Sequence, residues 1–396
     1  MLLKVLLFFI AFLVGADELM LGPILIPIGN DLGVEPERVT LFITAYSVAL
    51  AIVAPTLGAL SDRLGRLKVM LPAAILFGAA SISTGMVDTF EWGLTTRVLT
   101  GLASAGMLPI AFAMAADDSG ADAMKRIAWV QAGLTLGMIS SPAVGAVLAQ
   151  WLSWRAAFIV LGVCAWCVAV ALAVLSAHKA SMEDAAQQPM DKLNQQPEDQ
   201  TSIAQGQSIK IWAIPGAAGA LLAMCFGLGG GIGLFNLVGQ HLRDTLDMPM
   251  WAVGSLYAAL GVISVIGNML MPRVVGHFES GRQVMRVALF VCLVVSVGFY
   301  AYPAESWTIV LLPLALWSMA GGIGSPALQS YIAELSAAHR GVLMSMGMTM
   351  MHIGVAIWSG IAGFAYSFGP TGMAMLAILL FGAAIVVLRP IKKNSR

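Results

Sequence analysis

Apolar runs of about 20 residues, separated by short polar breaks, recur twelve times along the chain. At 1.5 Å per residue each run, coiled as a helix, crosses a hydrocarbon core about 30 Å thick. The first six predicted spans cover roughly residues 4–29, 39–60, 69–88, 92–115, 127–149 and 156–176. The second six cover roughly 211–239, 250–272, 284–302, 306–333, 341–366 and 371–388. Short breaks force neighbouring helices antiparallel. One break is different. Residues 178–210 are rich in Gln, Asp, Glu, Lys and Ser, with Pro189 and Pro197, and have too little apolar surface to fold alone. The pattern therefore predicts an all-α membrane protein with twelve transmembrane helices in two six-helix bundles, residues 1–177 and 211–396, joined by a linker over 178–210.

Composition supports lipid as the solvent. The chain is 59% hydrophobic and 11% charged, against roughly 25% charged residues in a soluble domain. Basic and acidic residues balance at 21 each, which offers nothing to a nucleic acid. Met1–Ala16 has the lysine, apolar run and small-residue end of a secretory signal, but the apolar character resumes after Glu18, so one long spanning helix is expected. With both termini and the linker in the cytoplasm, seventeen basic residues lie on that side and three (Arg38, Arg155, Arg243) on the other; Arg97, inside a helix, completes the 21. That asymmetry predicts cytoplasmic termini. Cys164, Cys167, Cys225 and Cys292 sit in apolar stretches and make no disulfide framework. No metal-ligand cluster, Ser–His arrangement or phosphate loop occurs in the sequence, so neither an enzyme nor an ATP-driven pump is expected, and no cofactor.

Ionisable groups inside the apolar runs are the first candidates for function. Each costs at least ~2.5–3.5 kcal/mol there. Asp17 and Glu18 fall near the middle of the first span. Arg97 lies in the fourth, at a depth that nearly coincides by helical rise. Adjacent residues point about 100° apart, so only one of the two acids can face Arg97. The acid without the arginine is the better proton carrier; which one that is stays open. A buried ion pair that only holds two helices together is the alternative. In the second half His352 is the one ionisable group deep in a span, and packing is its simpler role. Tyr46, Gln131, Asn236, Gln240, Asn268 and Gln329 are sparse polar candidates for a substrate cavity, each also explicable as an interhelical hydrogen bond.

Four further patterns stand out. The loop after the second span reads Gly58-Ala-Leu-Ser-Asp62-Arg63-Leu-Gly65-Arg66-Leu-Lys68. Its glycines permit close approach and a tight turn. Asp62 is placed to cap a neighbouring helix or to pair with Arg63 or Arg66, a latch for the cytoplasmic ends. Gly65-Arg66 recurs as Gly281-Arg282, 216 positions on, but Phe278 stands where Asp62 does, so a latch there should be weaker. The fifth span carries Gly133, Gly137, Ser141 and Gly145 at four-residue spacing, beside Pro142, a stripe along which another helix packs backbone-close. The glycine run from Gly227 to Gly233 should weaken the seventh helix. Met344, Met346, Met348, Met350 and Met351 crowd the eleventh, where packing or lipid contact is the simpler reading than a promiscuous site.

The Gly58–Lys68 loop resembles the signature loop of the major facilitator superfamily. Arg97-Val-Leu-Thr-Gly101 is similar to that family's R-x-x-Q-G motif, with Thr100 for the usual Gln. Gly137-Met-Ile-Ser-Ser141-Pro142-Ala-Val-Gly145 resembles its antiporter motif, with Ser141 replacing a glycine. The resemblance is to the twelve-helix drug–proton antiporter branch. It implies a monomeric transporter of the bacterial inner membrane that works by alternating access. Such a protein exports small lipophilic or cationic compounds, with the proton as coupling ion at Asp17, Glu18 and Arg97. A dedicated carrier of an amino acid, sugar, nucleoside or siderophore is the nearest rival, and a membrane receptor or scaffold a distant one.

Overall fold

The computed structural model describes residues 2–117, 121–186, 211–302 and 306–389, and regular structure among them is helical throughout. Twelve helices are long and apolar enough to cross a membrane. They are α1 (Leu2–Leu32), α2 (Leu41–Leu64), α3 (Arg66–Thr84), α4 (Phe90–Ala115), α5 (Asp122–Trp151) and α6 (Trp154–Ala177) in the first half. In the second half they are α7 (Ala217–Leu246), α8 (Ala252–Val275), α9 (Gly281–Ala301), α10 (Trp307–Glu334), α11 (Arg340–Tyr366) and α12 (Gly369–Val387).

Helix ends and interruptions follow local chemistry. A single 3-10 turn over Gly22–Ile24, with Pro23 in it, interrupts α1. The chain leaves regular helix at Gly106 and Met107, just before Pro109, in α4. In α7 a π-helical turn spans Met224–Gly229, at the start of the glycine run. Helical structure continues beyond α6 to Ala186, ten residues past the end that hydropathy sets. The run there is rich in Ala, with Met and Glu, all good helix formers. Hydropathy marks where lipid ends, not where helical hydrogen bonding ends. The rest of the expected linker, residues 187–210, lies outside the described residues.

Within the first half α1 packs along α5, α2 along α4 and α3 along α6. In the second, α9 packs against α10 and α12, α8 against α10, and α7 against α11. The halves meet along two seams, α2 against α11 and α5 against α8. In each seam the second helix of one half faces the fifth of the other. Many large apolar side chains, such as Ile52, Val170, Leu312 and Phe364, remain exposed. Lipid is the solvent that tolerates them.

Candidate functional site

The site is built outward from the contact between α1 and α5. A Cβ added at Gly133 would sit 2.4 Å from the Phe8 carbonyl oxygen, and one at Gly137 2.1 Å from that of Phe12. At Gly145 the nearest atom would be Met20 Cγ, at 2.9 Å. Ser141, the remaining member of the stripe, is buried with its hydroxyl unpartnered. Pro142 lies within the continuous helix. The stripe therefore touches α1 at successive four-residue steps. Gly15 returns the contact, since its Cβ would lie 2.3 Å from the Leu134 carbonyl oxygen. Only backbone-close packing allows this, and it fixes the rotation of α1 about its own axis.

That rotation decides what the two acids do. Asp17 is fully buried and accepts two hydrogen bonds from Arg97, Nη1 to Oδ1 at 2.8 Å and Nη2 to Oδ2 at 2.7 Å. Arg97 is itself 1% exposed. Its guanidinium lies 4.9 Å from the Tyr46 ring centroid and 5.7 Å from that of Phe158, a desolvated cation between two aromatic faces. Both Asp17 oxygens are engaged. Tyr46 is thus part of the wall of this ion pair, itself buried in α2.

Glu18 points elsewhere. Its Oε1 is buried without a hydrogen-bond partner and lies 3.8 Å from His352 Nε2, also unpartnered. The pair spans the two halves, α1 to α11. His352 is therefore not an isolated packed residue. Trp358, six residues further along α11, packs against Phe226 of α7 with ring centroids 5.4 Å apart and the planes tilted by 40°.

The remaining polar candidates divide by depth. Gln329 of α10 donates to Gln131 of α5 at 3.5 Å, and Asn268 of α8 donates to the Thr135 hydroxyl of α5 at 3.0 Å. Both bonds join the halves. Asn236 and Gln240 lie elsewhere, in the part of α7 far from its start. Asn236 is exposed, and Gln240 donates to Asp244 at 2.7 Å and accepts from Arg243. Met344 and Met348 are buried, and Met346, Met350 and Met351 pack partly buried against the same core.

The loop after α2 lies at the end of the bundle that carries most basic residues, called here the basic end. Asp62 accepts from the backbone N–H of Gly341 at 2.8 Å and of Val342 at 3.0 Å, so it caps the start of α11. It also pairs with Arg66. Arg66 in turn donates to the Ser61 hydroxyl at 3.0 Å and to Asp117 at 3.3 Å. Arg340 reaches the same Asp117 at 3.1 Å and donates to the Ala333 carbonyl at 2.9 Å. Gly58 lets the seam close: a Cβ there would meet Ser345 Oγ at 2.2 Å and the Gly341 carbonyl oxygen at 2.5 Å. Gly65 serves its backbone instead, with φ +99° and open space around it. Arg63 is exposed and outside the cluster. Asp117, Gly341 and Ser345 are members that the loop sequence does not point to, and Arg340 read only as one more basic residue at that end. Nothing in sequence spacing couples residues 66, 117 and 340.

Along α11, contacts joining the halves run from this cluster, through Thr349 donating to the Ala51 carbonyl at 2.9 Å, to the Glu18–His352 contact, besides the two bonds to α5. His352 is twelve residues from Arg340, about 18 Å along α11. On the outer stretches of the seam helices, Leu41 and Val48 of α2 and Ile361 and Phe364 of α11 are exposed, while Phe42, Tyr46 and Ala362 are buried.

Comparison with known proteins agrees with this architecture. A bacillibactin exporter of Bacillus subtilis (strain 168) is 40% identical over 144 residues, 33% of this chain and 35% of that one. A chloramphenicol resistance protein of Streptomyces lividans is 31% identical over 173 residues, 43% of this chain and 44% of that one. The chain thus matches less than half the length of each of these two relatives. The structure of the human organic anion transporter MFSD10 (TETRAN) superposes with a TM-score of 0.76 at 17% identity, covering 98% of this chain and 99% of that chain, a likeness of fold. The family model described as Major Facilitator Superfamily matches residues 7–358. The two-seam bundle of twelve helices and that match together make the chain a membrane transporter belonging to the major facilitator superfamily.

Proposed function

We propose that the protein exports small lipophilic or cationic compounds from a bacterial cytoplasm in exchange for protons. The observation that carries this reading is Glu18, a partly buried acid whose buried carboxyl oxygen has no hydrogen-bond partner at the contact between the halves. A charge there is costly without a donor, and taking up a proton removes the cost. Asp17 is held at both oxygens by Arg97, so Glu18 is the proton carrier and Asp17–Arg97 the fixed frame beside it. The basic end faces the cytoplasm, as the excess of basic loops favours. With that end latched, the cavity opens to the other side. Proton entry at Glu18 changes the charge felt by α11 and biases the seam towards the alternate state.

The substrate class rests on how the polar candidates of the seam are engaged. Gln329 bonds to Gln131 and Asn268 to Thr135 across the halves, which takes up directional groups that a polar substrate would use. The two relatives are named for export and for drug resistance. One charge moving through 100 mV supplies about 2.3 kcal/mol, enough for roughly fifty-fold accumulation. Proteoliposomes with an imposed pH gradient and a panel of lipophilic cations test this. Glu18→Gln should still pass substrate down its own gradient but lose proton-driven accumulation. Accumulation equal to wild type would refute the assignment. A dedicated exporter of one metabolite is the second reading, favoured by the relative named for bacillibactin export. Competition among chemically unrelated compounds separates the two.

A further inference from the structure

The second half carries a cleft that the transport reading does not use. It has a volume of about 300 Å³ and opens at the basic end between the entry to α7, the first turn of α9, the last turn of α10 and the end of α12. Close backbone contacts build its walls. Gly216, at φ +90°, leaves room for the Tyr331 hydroxyl, which a Cβ would approach to 2.5 Å. A Cβ at Gly219 would come 2.3 Å from the Val387 carbonyl oxygen, and one at Gly281 2.3 Å from that of Ala327. These contacts draw α7 onto α12 and α9 onto α10.

Two arginines line this cleft, Arg282 and Arg389, and among the described residues no acidic one does. Arg282 lies over the Tyr331 ring, 5.6 Å from its centroid, and its Nε is buried with no hydrogen-bond partner. The contrast with the repeat position in the first half is direct. Arg66 is occupied by Asp62 and Asp117. Phe278 stands at the position equivalent to Asp62, and no carboxylate pairs with Arg282 among the described residues. A fork of N–H donors without a carboxylate matches the geometry of a phosphate. The surroundings match the edge of a bilayer. Trp212 at the mouth is 55% exposed, Val387 and Leu388 form an apolar wall, and interfacial tryptophan marks the headgroup level.

We infer that this cleft binds the phosphate of an anionic phospholipid, held by Arg282 and Arg389 with its glycerol end against Val387 and Leu388. Basic pockets between transmembrane helices at the cytoplasmic surface take such headgroups. The lipid would tie the entry of α7, the first helix of the second half, to α9 and α12.

The full-length protein, purified and mixed with phosphatidylglycerol or with phosphatidylethanolamine, tests the assignment by native mass spectrometry. Wild type should retain one phosphatidylglycerol and no comparable phosphatidylethanolamine. Arg282→Gln with Arg389→Gln should lower retention about tenfold or more, as loss of two basic groups predicts. The Arg282→Lys, Arg389→Lys protein should keep most of it, and Arg273→Gln, a basic-end arginine outside the cleft, should change nothing. A measurement on wild type alone guards against a variant that fails to fold: phosphatidylglycerol should raise its melting temperature, and millimolar inorganic phosphate should not. Stabilisation by inorganic phosphate with displacement of the lipid would assign the cleft to a soluble phosphate and overturn the lipid reading. Equal retention of the two lipids by wild type would overturn both.

Discussion

Glu18 of α1 and His352 of α11 face each other across the contact between the two halves, with 3.8 Å between Oε1 and Nε2. The neighbouring acid, Asp17, turns the other way and spends both oxygens on Arg97 within its own half. Two adjacent carboxyl groups, about 100° apart on one helix, therefore report to different bodies. A change of charge on Asp17 is felt inside the first bundle. A change on Glu18 is felt by a seam helix of the second.

Substrate binding to the detergent-purified protein should release protons into weakly buffered solution if Glu18 is the carrier. Glu18→Gln should release none, while His352→Gln should still release them with an altered pH dependence, since the imidazole only modulates the acid. A Glu18→Gln protein that releases protons like wild type would move the carrier elsewhere.

Asp17 and Arg97 should behave as a unit. Asp17→Asn leaves a buried guanidinium unpaired, and breaking such a pair costs about 3–5 kcal/mol. The Asp17→Asn, Arg97→Gln protein, with no charge left to bury, should melt higher than either single variant or close to the better of them. Melting temperatures of the four proteins give the coupling. Additive losses would show that the two-point bond contributes little.

The basic-end latch should loosen when Asp62 loses its charge. Asp62→Asn weakens its pair with Arg66 and the caps on Gly341 and Val342, and a charge-assisted hydrogen bond is worth about 1.5–3 kcal/mol. A cysteine at Thr349, which bonds Ala51 across the seam, should then react about tenfold faster or more with an impermeant maleimide added from the basic side. The four native cysteines are replaced first for this assay. Arg63→Gln, exposed and outside the cluster, should leave the rate unchanged.

The glycine stripe should rank by what its missing Cβ would strike. Gly137→Ala drives a methyl group into the Phe12 backbone and should cost about 1–3 kcal/mol of stability. Gly145→Ala meets the flexible Met20 side chain and should cost less. Gly254→Ala, with nothing within 4 Å, should be neutral. Thermal melting in one detergent checks the order, and a neutral Gly137→Ala would mean that α1 and α5 can separate freely.

The twelve spans, their pairing into six and six, and the superfamily were legible in the residues alone. Hydropathy over 20 residues is a local quantity, and the Gly58–Lys68 loop is a contiguous string. Helix ends were less legible, as the extension to Ala186 shows. That one of Asp17 and Glu18 would meet Arg97 was legible; which one was not. α1 is apolar on nearly every side, so its pattern does not say which face turns inward. The packing of Gly133, Gly137 and Gly145 on its backbone sets that rotation. His352 looked isolated because its partner is 334 positions away in the chain, and Asp117 and Arg340 joined the latch for the same reason. Sequence periodicity records which side chains prefer lipid; which polar groups meet across a seam is decided only where the two halves pack together.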